Sequence, residues 1–191
     1  ARVRALIRHQ PPRKDLVDIN EAILEVLPLV RFETQRNGVV LGAELADGLP
    51  RVLGDRVQLQ QVILNLIVNG IESMSGVEGR PRQVVIASGE GDFSRVLIAV
   101  RDLGKGLDPM SAHHLFEPFY TTKSDGMGMG LTISRWIVEA HGGKLELHDA
   151  PADFHEGCGA MVSVILPLTT PSRGTPAVVS ERETEKVDNG V

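Results

Sequence analysis

Some residues in this chain are of types, and at spacings, suited to holding a charged ligand. The segment from Arg56 to Met74 is mostly apolar, yet at about 100° per residue Gln58, Gln61, Asn65, Asn69 and Glu72 fall within about 40° of the direction of Asn65. An unpaired buried amide costs roughly 1–3 kcal/mol, so this stripe faces either solvent or a ligand. An asparagine carbonyl oxygen is a hard, neutral donor suited to Mg²⁺, which keeps water and substrate phosphates among its ligands. Gly70, in mid-helix, loses about 1 kcal/mol of propensity against Ala. A close neighbour at that point would account for it.

A second group, Asp102-Leu-Gly104-Lys-Gly106, follows the apolar run Val96 to Val100. A carboxylate at a strand end can accept a hydrogen bond, while glycines let backbone approach a flat ligand. A plain Asp-Gly turn would look the same. Third, Gly126-Met-Gly128-Met-Gly130-Leu131 opens a helix running to about His141. Glycines there leave backbone N–H groups for anionic oxygens, aided by the helix dipole. No Gly-Lys-Ser/Thr ends this run and no βαβ crossover follows it, so neither a P-loop nor a dinucleotide fingerprint is present. The 19 residues from Leu107 to Asp125 between the two glycine clusters are long for a simple turn and read as a lid. Phe116 and Phe119 are expected to pin that lid to the body, although core packing alone would also place aromatics there.

These groups need elements to position them. Residues 1–9 read as a helix end, stopped by Gln10-Pro11-Pro12. Asp15 to Ile19 reads as a short strand, followed by a helix capped by Asn20 and ended by Asn37-Gly38. Val39 to Leu45 alternates like a strand, and Asp55 caps the long polar-striped helix. Gln83 to Ser88 and Arg95 to Arg101 form two strands, with Lys144 to His148 and Ala160 to Leu166 closing the fold. The order predicts an α/β fold, a two-layer α/β sandwich with a mixed, mostly antiparallel sheet packed on helices. Twenty Lys and Arg against 25 Asp and Glu give a net charge of −5, a poor match for nucleic-acid backbones. The single cysteine, Cys158, excludes an internal disulfide or a multi-Cys zinc site. No apolar run approaches the roughly 18 residues of a membrane span.

Taken together, the segments resemble the catalytic and ATP-binding domain of two-component sensor histidine kinases. Asn65-Leu-Ile-Val-Asn69 is similar to the N box and Asp102 to Gly106 to the first glycine box. Phe116-Glu-Pro-Phe119 is similar to the F box and Gly126 to Gly130 to the second glycine box. The run from Thr121 to Arg135 is most similar to kinases of the nitrogen-fixation oxygen-sensor type. The resemblance covers about residues 15–168. It implies a Bergerat-type ATP site with a flexible lid, in which Asn69 coordinates Mg²⁺ and Asn65 lies beside the phosphates. It further implies that Asp102 accepts from the adenine amino group, with Gly104 and Gly106 shaping that wall. Gly126, Gly128, Gly130 and Leu131 are then the phosphate-side hinge, and Lys123 a lid contact to phosphate.

ATP-hydrolysing relatives such as gyrase B and the heat-shock chaperones carry a glutamate base where this chain has Asn65. An amide takes no proton from water, so the expectation is protection of ATP from hydrolysis until transfer. Glu72 stands where many of these kinases have a basic residue, and is expected to bind water or metal, leaving Lys123 as the cationic contact. None of the six histidines suits a phosphoacceptor. His9 precedes Gln-Pro-Pro, His113 and His114 lie in the lid, and His141 sits near a helix end, where imidazolium is favoured. His148 and His155 read as surface residues.

The resemblance therefore implies three parts: residues 1–14 as the end of a dimerisation helix and linker, 15–168 as the catalytic domain, and 169–191 as a disordered tail. The implied partners are a dimerisation domain bearing the histidine and a response regulator, with a monomeric fragment, a homodimeric full-length kinase and a cytoplasmic location. Two alternatives stand beside this: a nucleotide-binding interaction module without transfer activity, and a Bergerat-fold ATPase or serine kinase.

Overall fold

A computed structural model of the chain describes residues 14–92, 94–108, 114–121, 128–151 and 159–168. Strand β1 (Asp15–Val17) leads into helix α1 (Ile19–Val26), a 3₁₀ turn (Leu27–Val30) and helix α2 (Arg31–Asn37). The α1 cap is Asp18, whose carboxylate accepts the Glu21 N–H at 3.2 Å, rather than the expected Asn20. Asn20 lies inside the helix, where its amide has longer-range partners: it donates to the Ala46 carbonyl at 2.8 Å and accepts from Ser88 Oγ at 2.6 Å. Gly38, at φ 61°, ends α2 in the left-handed conformation that glycine adopts without strain.

Strands β2 (Val40–Leu45), β4 (Gln83–Gly91), β5 (Arg95–Asp102), β6 (Lys144–Asp149) and β7 (Ala160–Pro167) form one sheet in the order β2-β4-β5-β7-β6. The β2–β4 pair is parallel and the remaining pairs are antiparallel. Parallel pairing requires a crossover. It is supplied by β3 (Val52–Gly54) and helix α3 (Arg56–Ser73). Strand β3 pairs with β1 in a separate two-stranded sheet. At three residues it is too short to show an alternating pattern, and the sequence gives no sign of it.

Period-two alternation divides the large sheet. Val84 and Ile86 of β4, Val96, Ile98 and Val100 of β5, and Val164 and Leu166 of β7 are buried on the helix-covered face. Asp102 continues the same row, so the strand delivers its carboxylate to the buried face. Against this face α3 packs Leu59, Val62, Ile63, Leu66, Ile67 and Ile71, each at most 1% exposed. Each such side chain contributes roughly 1.5–3 kcal/mol on burial.

Helix α4 (Gly130–Ala140) lies beside α3. The two are tied by His141, at the end of α4. Its Nδ1–H donates to the Ile137 carbonyl (2.7 Å), and its Nε2 accepts the N–H of Asp55, the α3 cap (2.9 Å). The tautomer follows from those partners. Gly54 makes room for the ring: a Cβ there would fall 2.7 Å from His141 Cδ2. On the outside, Arg56 pairs with Glu21 and Glu25, and its hydrogen bond to Glu25 holds that carboxyl below the usual carboxylate range.

The expected helix end at 1–9 and disordered tail at 169–191 lie outside the described residues. Among those described, no helix is long and apolar enough to cross a membrane.

Candidate functional site

The polar stripe of α3 is graded along its length. Gln61 and Glu72 are exposed, whereas Gln58, Asn65 and Asn69 are half-buried. Asn65 donates from Nδ2 to the Gly130 carbonyl at 3.1 Å and to Ser134 Oγ at 3.3 Å. It thereby fixes the start of α4 against the middle of α3. Asn69 sits one turn further along, toward the end of β5. The Cβ missing from Gly70 would lie 3.3 Å from both methyl groups of Val84 and 3.6 Å from Asp102 Cβ. This is the close neighbour that the mid-helix glycine called for, and it brings α3 down onto the strand that carries Asp102.

Asp102 is 6% exposed. Its Oδ1 accepts the Gly104 N–H at 2.8 Å and, more weakly, the Ala160 N–H at 3.4 Å. A buried carboxylate is tolerated when backbone donors hold it in this way. A Cβ on Gly104 would fall 2.4 Å from Ser73 Oγ, so glycine is required where this loop meets the last turn of α3. Gly106 has a φ of 77° and faces the backbone of Gly159. Gly159 is needed too, since its Cβ would come 1.9 Å from the Asp102 carbonyl oxygen. Asp102, Gly104, Gly106, Ser73 and Gly159 thus form one wall.

Sequence reasoning missed Ser73 and Gly159. Ser73 stands one turn beyond Asn69 and could have been reached by extending the stripe. Gly159 precedes an apolar strand and carries no signal beyond being a glycine.

Across from this wall, α4 starts at Met129 with no side-chain cap on its first turn. Among the described residues, no side chain of the cap takes its leading N–H groups, a geometry that favours an anion. Gly128, at φ 65°, packs so tightly under Phe119 and Tyr120 that a Cβ would lie 2.6 Å from their backbone atoms. A Cβ on Gly130 would be in ordinary contact, at 3.7 Å, with the Asn65 amide. The half-buried Leu131 side chain packs against the core.

The two lid aromatics part company. Phe116 is pinned as expected, with its carbonyl accepting from Thr132 Oγ1 at 3.2 Å and its ring 5.4 Å from the Arg135 guanidinium. The Phe119 ring is 75% exposed on a left-handed backbone, and it is the backbone that makes the contact, its N–H donating to the Gly128 carbonyl at 3.1 Å. Lys123 and Gly126 lie outside the described residues.

The donors present fit a Mg²⁺ ion that arrives with its ligand. Among the described residues no cluster of three or more His, Cys, Asp or Glu side chains could hold an ion. What the described residues offer is the asparagine stripe beside the start of α4, which suits an ion sharing phosphate oxygens.

Comparison with known proteins gives three kinds of match. A family model described as histidine kinase-, DNA gyrase B-, and HSP90-like ATPase matches residues 54–170. The sensor histidine kinase TmoS of Ectopseudomonas mendocina is 35% identical over 168 residues, covering 87% of this chain and 17% of that protein. Among solved structures, full-length ShkA in complex with AMPPNP superposes with a TM-score of 0.67 at 27% identity, over 81% of this chain and 31% of that one. ThkA in complex with the response regulator protein TrrA superposes with a TM-score of 0.66 at 27% identity, over 84% and 43%. The chain spans 17–33% of the length of the curated relatives it matches. Identities to those relatives lie between 31 and 37%, a spread too narrow to favour the nitrogen-fixation oxygen-sensor type.

Proposed function

This chain belongs to the histidine kinase-, DNA gyrase B- and HSP90-like ATPase family, as a catalytic domain of the sensor-histidine-kinase kind, and from that premise we propose what its residues do. Mg·ATP binds along α3, with adenine against Asp102 and phosphates toward the start of α4. The γ-phosphoryl group passes to a histidine nitrogen on a separate helical dimerisation domain, for relay to a response regulator. The observation that carries this reading is the buried carboxylate of Asp102, held by the Gly104 N–H at 2.8 Å where Gly70 brings α3 within contact. A shielded acceptor beside glycine backbone suits the exocyclic amine of a purine. ShkA is seen with AMPPNP and ThkA with a response regulator, which supports both ends of the relay.

Each residue has a part in the proposed reaction. Asn69 would hold Mg²⁺ through its amide oxygen, and the bound ion would neutralise charge on the phosphates. Asn65 locks Gly130 and so fixes where the N–H groups of α4 meet phosphate oxygen. As an amide it takes no proton from water, and ATP survives until the histidine arrives. Transfer breaks the bond from the γ-phosphorus to the bridging oxygen and forms a phosphorus–nitrogen bond, and ADP leaves. Catalysis is positioning and charge stabilisation. Gly126, Gly128, Gly130 and the Leu131 backbone form the hinge of the lid, and Lys123 reaches phosphate from it. Glu72 binds water or metal at the rim. The domain spans 15–168, between a linker ending at 14 and a tail from 169, and works in the cytoplasm where ATP is supplied.

Calorimetric titration with ADP and a non-hydrolysable ATP analogue, with and without Mg²⁺, tests the reading. Binding of both, strengthened by Mg²⁺, is expected. Failure of either nucleotide to bind would overturn it.

A further inference from the structure

The loop between α3 and β4 touches the adenine wall at one point. Gly79, at φ 74°, turns the chain there, and the next residues are Arg80-Pro81-Arg82. A residue before proline is confined to extended backbone, which fixes the direction in which Arg80 leaves the chain. Arg82 braces the loop from within. Its Nε and Nη2 donate to the Val77 carbonyl at 3.1 and 2.9 Å, and its Nη1 donates to the Asn37 carbonyl at 3.0 Å. From this braced loop the half-buried Arg80 donates through Nη2 to the Gly104 carbonyl at 2.7 Å, spanning 24 residues of sequence.

Gly104 is thus held at both ends. Its N–H is taken by Asp102 Oδ1 at 2.8 Å and its C=O by a guanidinium at 2.7 Å. Glycine has no side chain to hold it in place and would otherwise sample more backbone conformations than any other residue. The charged donor is the short, strong kind of hydrogen bond. The two bonds fall on the peptide units either side of the Gly104 Cα, so a shift of Gly104 disturbs the stronger of the two backbone bonds described at Asp102 Oδ1, the other being the 3.4 Å bond from the Ala160 N–H.

We propose that Arg80 is a positioning residue for base recognition: it pins the Gly104 peptide and so aims the Asp102 carboxylate at the exocyclic amine of adenine. The inference rests on the ATP reading above and adds a specificity determinant to it. Arg80 itself touches neither base nor phosphate. Its loss should therefore lower adenine selectivity while leaving the Mg²⁺ dependence alone.

The test is calorimetric titration of wild type, Arg80→Ala and Arg80→Lys with ADP and with IDP, whose base carries a carbonyl in place of the amine, with and without Mg²⁺. Wild type should prefer ADP. Arg80→Ala should weaken ADP about tenfold, as expected for one charged hydrogen bond, leave IDP nearly unchanged, and keep the ratio of affinities with and without Mg²⁺. Arg80→Lys, which can still donate to a carbonyl, should restore part of the ADP preference. Equal losses for ADP and IDP would overturn the proposal in favour of a general structural role, as would unchanged affinities for both. Failure of wild type to bind ADP at all would instead defeat the ATP reading. Thermal melting of both variants identifies any that misfold, and if Arg80→Ala melts early, the Arg80→Lys selectivity decides alone.

Discussion

At the scale of single residues, three side chains carry distinct chemistry and can be separated by substitution. Replacing Asn69 by Ala removes a neutral oxygen donor, so the Mg²⁺ enhancement of ADP affinity should vanish while the fold stays intact, as a cooperative thermal melt would show. Enhancement that survived would mean the ion is held elsewhere. Asp102→Asn keeps the shape but loses the charge and presents a donor to the base. Adenine nucleotides should weaken by roughly tenfold or more, the worth of one charge-assisted hydrogen bond. Guanine nucleotides should change less, and equal losses would argue against base recognition. Asn65→Glu introduces a carboxylate base beside the phosphates at the expense of the bonds to Gly130 and Ser134. Steady ATP hydrolysis, measured as phosphate release, is expected to appear, and its absence would show that the amide is not what protects ATP.

At the scale of elements, the site depends on how α3 and α4 are joined, and His141 makes that joint. His141→Ala deletes the acceptor for the Asp55 N–H and the bond to Ile137. A loss of about 1–2 kcal/mol is expected, read in thermal melting as a drop of roughly 2–8 °C for a chain of this size. An unchanged melting temperature would mean that the joint contributes nothing. Such joints explain what was legible beforehand. The long amphipathic α3, the strand ending at Asp102 and the glycine-opened α4 have strong local patterns, and the structure places them as expected. Strand β3 was hidden because three residues show no period. Asn20 resembled a cap in sequence, but Asp18 sits where the first turn leaves its N–H groups open. The hydrogen bond of Asn20 to Ser88 spans 68 residues, beyond the reach of any local rule. Arg80 and Gly159 act through contacts of the same long-range kind.

At the scale of the whole molecule, the chain holds the proposed ATP site, while the sequence leads one to expect no acceptor among its histidines. Incubated alone with radiolabelled ATP it should remain unlabelled. Added to a separately expressed helical domain carrying the acceptor histidine, it should transfer label that is lost in acid and kept in base, as a phosphorus–nitrogen bond requires. Label on the chain itself would place an acceptor among its own histidines. The parallel pairing of β2 with β4 bears on how such a molecule comes together. The connection that makes this pairing possible is α3, the helix that carries Asn65 and Asn69. Closing the sheet edge and assembling the binding face are therefore expected to be coupled. Amide hydrogen exchange on β2 should slow only as fast as α3 docks, so a newly made chain that has completed its sheet already owns its ligand-binding face.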